Sequence, residues 1–93
     1  MVREHAVITA TDGPGFEKAL EQALPVIRAA RGCLSAEVTR CVEEPNLYLL
    51  LVEWETIEDH TIGFRESPAF AEWRSHVGPF FAAPPLVQHF ESL

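Results

Sequence analysis

The longest unbroken apolar run in the chain, Leu47-Tyr-Leu-Leu-Leu-Val52, restricts the fold more than any other stretch. Six residues are far short of the roughly 20 that a helix needs to cross a bilayer. A turn signal, Glu43-Glu-Pro-Asn46, precedes the run, and Trp54-Glu-Thr56 closes it, so residues 47–55 read as a strand. Side chains alternate along a strand. Leu47, Leu49 and Leu51 therefore share one face, and Tyr48, Leu50, Val52 and Trp54 share the other. Both faces are apolar, whereas a free antiparallel face normally turns polar. This strand has to be covered on both sides.

The rest of the chain supplies one of the two covers. Residues 4–11 are rich in β-branched types and read as a first strand. Asp12-Gly-Pro14-Gly ends it and opens a helix with proline in its first turn. Phe16, Leu20, Leu24 and Ile27 recur at helical spacing as an apolar stripe. Pro25 inside that pattern is expected to kink or split the helix, and Gly32 to close it. Residues 33–42 form a second strand, paired in a hairpin with 47–55. Thr56-Ile-Glu-Asp59 matches a capping box; the helix it starts carries Ile57, His60, Thr61 and Phe64 on one face. Ser67-Pro68 restarts a helix with serine as cap, lined by Phe70, Trp73 and Val77 and stopped at Gly78-Pro79. Residues 86–92 form the last strand. The order β-α-β-β-α-β is that of the ferredoxin-like α+β fold, a four-stranded antiparallel sheet with helices on one face. The other sheet face stays bare, and an apolar face of several hundred Å² usually marks an interface. The pattern predicts a homodimer, two sheets stacked face to face into a closed barrel with helices outside.

Composition bounds the rest. Ninety-three residues make a single domain, 1–93, that gains from a partner subunit. A net charge of −7 with seven scattered basic residues leaves no stripe to follow nucleic-acid phosphates or an anionic membrane. No apolar leader opens the chain, so the expected location is the cytoplasm. Cys33 and Cys41 sit about 26 Å apart on an extended strand, too far for a disulfide, and lack zinc spacing. The histidines show no metal-ligand spacing, and no Gly-rich phosphate loop is present. No haem, flavin or metal is expected.

Several features together resemble the antibiotic biosynthesis monooxygenase (ABM) domains of the dimeric α+β barrel superfamily. They are the element order, the Trp54-Glu-Thr strand end, His60 six residues after that tryptophan, Ser67-Pro-Ala-Phe70, Phe80, and the Pro-Pro pair before the last strand. The resemblance implies a ligand cleft between helices and sheet, walled by His60, Phe64, Phe70, Trp73, Phe80 and Trp54. It also implies a cofactor-independent monooxygenase that oxidises an aromatic, polyketide-like or quinol substrate with O2. The alternative it leaves is a dimeric, non-catalytic small-molecule binding or stress-associated protein. The haem-degrading branch is disfavoured. Its ligating histidine position is Arg74 here, its tryptophan position is Phe64, and strand one contains no asparagine.

Within this frame His60 is the candidate base, since an ordinary imidazole pKa suits proton abstraction near neutrality. The structural alternative is a histidine near a helix start held by Glu53 or Glu55. Trp54, Phe64, Phe70, Trp73 and Phe80 are candidate stacking walls or plain core. Arg65 and Arg74 either bind an anionic group or pair with Glu66 and Glu72.

Overall fold

Period-two alternation in four segments turns one face of each strand toward the helices, and the assembled sheet follows from it. The computed structural model describes all of residues 1–93. In chain order it contains β1 (Val2–Thr9), α1 (Gly13–Arg28), β2 (Cys33–Arg40), β3 (Leu47–Trp54), a π-helical turn (Asp59–Phe64), α2 (Pro68–Val77), a short 3-10 turn (Gly78–Phe80) and β4 (Leu86–Phe90). The strands pair antiparallel in the order β2-β3-β1-β4. This is a ferredoxin-like α+β sheet with its helices on one face. No helix is long and apolar enough to cross a membrane.

Burial alternates strictly along β3: Tyr48, Leu50, Val52 and Trp54 are buried, while Leu47, Leu49 and Leu51 are partly exposed. Ala6 and Ile8 of β1 continue the buried face, and Phe16, Leu20, Ala23 and Ile27 of α1 with Trp73 and Val77 of α2 close over it. On the opposite face Val7, Leu86 and Phe90 are 40%, 62% and 47% exposed. No element of this chain covers them.

The ends of the elements differ from the sequence reading by one or two residues. β1 starts at Val2 and stops at Thr9 rather than running 4–11; β2 stops at Arg40 and β4 at Phe90. Two local expectations are corrected in part. Pro25 does not split α1, which runs unbroken from Gly13 to Arg28. Pro25 and Glu21, whose carbonyl loses its amide partner, are both exposed, so water can satisfy that group. Ser67 occupies the cap position of α2 but makes no capping bond; its hydroxyl donates to the Phe64 carbonyl at 2.6 Å instead.

The capping pair at residues 56–59 forms reciprocally. Asp59 N–H donates to Thr56 Oγ1 and Thr56 N–H to Asp59 Oδ2, each at 3.2 Å. The turn that begins at Asp59 is wider than an α-helix, because Arg65 N–H reaches the His60 carbonyl five residues back at 3.0 Å. In so wide a turn, residues four apart stay nearly in line and residues three apart do not. His60 and Phe64 are therefore both buried, while Ile57, expected on the same stripe, is 41% exposed. At the opposite end of the sheet, Asn46 adopts a left-handed backbone with φ 68, which asparagine tolerates. Its side chain accepts the Gly13 amide at 2.8 Å and fixes the start of α1.

Candidate functional site

Between the helices and the β1–β4 side of the sheet lies a cavity of about 340 Å³. Ligand pockets span about 300–1,000 Å³, and about 150 Å³ holds a benzene. There is room here for two fused rings. Its walls are mainly apolar: Ile8, Ile27, Leu50, Phe64, Phe70, Trp73, Phe81 and Val87, with Pro84 and Pro85 on one side. Four polar residues join them: Glu4, His60, Arg65 and Arg74.

The polar residues are not scattered. Glu4 lies on β1 beside Val52 of β3 and His89 of β4 in the sheet register, so its side chain points to the helix layer with Ala6 and Ile8. Its Oε1 accepts the Trp54 indole N–H at 3.0 Å. His60 Nε2 approaches the same oxygen at 3.3 Å, slightly beyond a good hydrogen bond. His60 Nδ1 lies 2.8 Å from His89 Nε2. The His60 ring also stacks on Trp54, with centroids 5.2 Å apart and planes 15° apart. Glu4, at 4% exposure, and His60, at 2%, are the two polar or charged side chains in the buried interior.

Burial sets the charge state of the cluster. It pushes the Glu4 carboxyl above the usual carboxylate range, against the opposing pull of the Trp54 hydrogen bond and the Arg65 charge. It brings His60 down to about 4, helped by the positive charge of Arg65 and by His89. His89 is lowered too, by burial and then Arg65. The 3.3 Å contact between Glu4 and His60 has the spacing of an ion pair, but an ion pair would move both groups the other way. The contact is long and buried, and we read it as a neutral imidazole against a carboxyl group.

His60, Phe64, Phe70 and Trp73 thus border the cavity, whereas two other residues named from sequence do not. Trp54 is fully buried behind His60, so it supports the cluster rather than facing a ligand. Phe80 closes the 3-10 turn and lies against Gly15 at the start of α1; the chain then extends and Phe81 takes the wall position. Neither Glu53 nor Glu55 holds His60; Glu4 and His89 do. Arg65 and Arg74 form no ion pair with Glu66 or Glu72. Both are exposed residues bordering the cavity, and the Arg74 guanidinium sits 5.9 Å and 5.7 Å from the Phe70 and Phe81 rings. Of the remaining histidines, His76 meets only Glu72, at 4.0 Å, and His5 packs on Phe90 on the far face of the sheet. Glu4 and His89 escape the sequence reading because each is simply a strand residue there, with nothing local to show that it faces His60. No group of three His, Cys, Asp or Glu side chains is arranged to hold a metal ion.

The ferredoxin-like sheet, its apolar helix–sheet cavity and the buried acid–imidazole cluster together define the class of α+β domain to which this chain belongs. The chain belongs to the antibiotic biosynthesis monooxygenase family, whose model matches residues 1–75. It is 43% identical to the Bacillus subtilis (strain 168) protein YczJ, itself uncharacterized, with each chain covered in full. The crystal structure of a Bordetella bronchiseptica protein assigned to the antibiotic biosynthesis monooxygenases superposes with a TM-score of 0.92 at 40% identity, covering 99% of this chain and 96% of that one. A conserved Methanosarcina mazei protein, 16% identical, shares the fold with a TM-score of 0.83 over 99% of this chain and 92% of its own.

Proposed function

We propose that this chain is a cofactor-independent monooxygenase that oxidises a compact phenol or quinol with O2 in the cytoplasm. The observation that carries the reading is a single buried acid–imidazole cluster, Glu4–His60–His89, opening on an apolar cavity of about 340 Å³. A flat aromatic ring fits between Phe64, Phe70 and Trp73. Loss of its hydroxyl proton to the cluster leaves an electron-rich anion, which passes an electron to O2. One oxygen atom enters the product and the other leaves as water, with the electrons supplied by the substrate. Arg65 and Arg74 offer positive charge to the developing anion. No haem, flavin or metal takes part in this scheme, and metal analysis and an absorption spectrum of the purified protein check it.

The test is O2 uptake with an anthrone or a naphthohydroquinone. Loss of general-base assistance typically costs about 100- to 10,000-fold, so His60→Ala, which breaks the cluster at its centre, should lower uptake steeply and leave the fold intact. Uptake unchanged in that variant removes His60 from the chemistry. If the unmodified protein binds the ring but never turns it over, the chain is a binding protein. One observation favours that second reading: both ring nitrogens of His60 already face partners.

We also infer a homodimer built on the open sheet face, with Val7, Leu47, Leu49, Leu51, Leu86 and Phe90 at its centre. Light scattering should give twice the chain mass, and Leu49→Glu should give monomers. A monomeric unmodified protein overturns this arrangement.

A further inference from the structure

Glu4 is the charged group least expected in this interior, and its surroundings are specific. Its Oε1 holds the Trp54 N–H and faces His60 Nε2. Its Oε2 has no hydrogen-bond partner within the chain, yet no fully enclosed oxygen is left unpaired, so Oε2 is not sealed off, and Glu4 is one of the residues that line the cavity. His60 is placed differently. One ring nitrogen faces Glu4 and the other faces His89, which leaves no free lone pair for a substrate proton.

A neutral imidazole has one donor and one acceptor nitrogen. If His89 Nε2–H donates to His60 Nδ1, the His60 hydrogen sits on Nε2 and points at Glu4 Oε1, which favours the carboxylate. In the reverse arrangement a lone pair faces that oxygen, and Glu4 keeps its place only by holding a proton. The direction of the His60–His89 bond therefore governs whether Glu4 is free to accept one.

We propose that Glu4 is the catalytic residue that takes the substrate proton at Oε2, and that His89 is a positioning residue that sets the tautomer of His60. The proposal rests on the oxygenase reading. In the step, the substrate O–H bond breaks, the Glu4 Oε2–H bond forms, and the electron pair stays on the substrate oxygen. The raised pKa of Glu4 suits such a base, since a carboxylate of ordinary pKa is a weak acceptor near neutrality. The groups facing Glu4 are few: His60 and Arg65 from the π-helical turn and the residue after it, His89 from β4, Trp54 from β3, and the Cys33 thiol of β2, which feels its charge. From α2, Arg74 borders the same cavity.

The experiment is a set of pH–rate profiles for quinol oxidation by the intact protein and by Glu4→Gln, His89→Leu and His89→Gln. Glu4→Gln should lose about 100- to 10,000-fold in rate at every pH while still binding the quinol. In His89→Leu the ascending limb should move to higher pH, because Glu4 holds its proton longer, with little loss on the plateau. His89→Gln can still donate to His60 Nδ1 and should return the limb toward its original place. Near-full activity in Glu4→Gln removes Glu4 as the base. A uniform rate loss in His89→Leu without a shifted limb reduces His89 to a structural role. Nitrogen-15 NMR of the unmodified protein reads the tautomer without catalysis: a His60 protonated on Nε2 at neutral pH supports the proposal, and one protonated on Nδ1 overturns it even if a variant fails to fold. If the unmodified protein oxidises no quinol, the oxygenase reading fails and takes the catalytic role of Glu4 with it, while the NMR result still decides the positioning role of His89.

Discussion

The helix–sheet layer has two ends that use the same parts to opposite effect. At one end Tyr48 packs its ring on Phe16, with centroids 4.8 Å apart, and sends its hydroxyl outward to Glu17 Oε2 at 2.6 Å. Arg40 reaches the same carboxylate at 2.9 Å. Those two bonds, Tyr48 first, hold Glu17 below the usual carboxylate range. Burial, with Glu17 beside it, pushes the Tyr48 phenol up to about 12. At the other end Glu4 lies inside the layer, receives one aligned hydrogen bond, and has its pKa raised. Both ends pair an acid with an aromatic donor. Where the acid reaches solvent, its hydrogen bonds lower its pKa; where it is buried, the loss of water outweighs the bond and raises it.

The largest effect that would sharpen the contrast is Trp54→Ala. Trp54 is fully buried and carries both the His60 ring and the Glu4 hydrogen bond, so its loss should cost about 3–5 kcal/mol, read by chemical denaturation. A cost under about 1 kcal/mol would mean that the cluster end is loosely packed, contrary to the comparison.

Acid should weaken the cluster end next. His60 titrates at about 4 in the folded chain against 6.5 as a free side chain. Between those values the unfolded chain binds the proton and the native one does not, so stability is full above pH 6.5 and falls as pH drops toward 4. With allowance for screening the loss is on the order of 2 kcal/mol. Glu4, with its raised pKa, contributes in the opposite sense, losing stability as pH climbs through its own range. The clean reading is the difference between the unmodified protein and His60→Gln in thermal melts from about pH 7 to pH 4. An identical pH dependence in the two proteins removes His60 as the acid-sensitive group.

Tyr48→Phe should have the smallest effect. It removes the bond to an exposed carboxylate and leaves the ring in place, so the melting temperature should drop only slightly. Glu17 has a lowered pKa, so the stability it adds is present above its ordinary pKa and is lost as pH falls through the lowered one. The Phe variant should therefore lose less than the unmodified protein on going to low pH. A large drop at neutral pH would mean that the two ends differ less than their geometry implies.

The fold is legible in the sequence because it rests on periodicity and punctuation. The alternation of 47–54, the reciprocal pair at Thr56 and Asp59 and the proline-led starts of α1 and α2 are local signals, and each appears where the residues place it. The site is only half legible because its partners are distant in sequence. Counting back from Ala6 and Ile8 by twos leads to Glu4 on the inner face, a signal present in the strand. A lone acid at a strand start, however, reads as solvated. In β4, Leu86 and Phe90 are the larger apolar pair, yet they are exposed, and Val87 and His89 face in. That strand misleads unless its outer face is itself destined for burial. The width of the turn at His60 carries no composition signal, so helical spacing puts Ile57 on the wrong side of it.

The Pro84–Pro85 wall has a consequence for what the cavity accepts. Two consecutive residues there have no amide hydrogen and fixed φ angles. On that side the two prolines offer ring carbon and no backbone donor, so a ligand's acceptor groups gain no amide hydrogen bond from them while flat hydrocarbon faces lose nothing. The wall also has few alternative shapes to give up when a guest arrives. Its ordering is completed during folding, so a ligand bound there would cost that wall little further entropy.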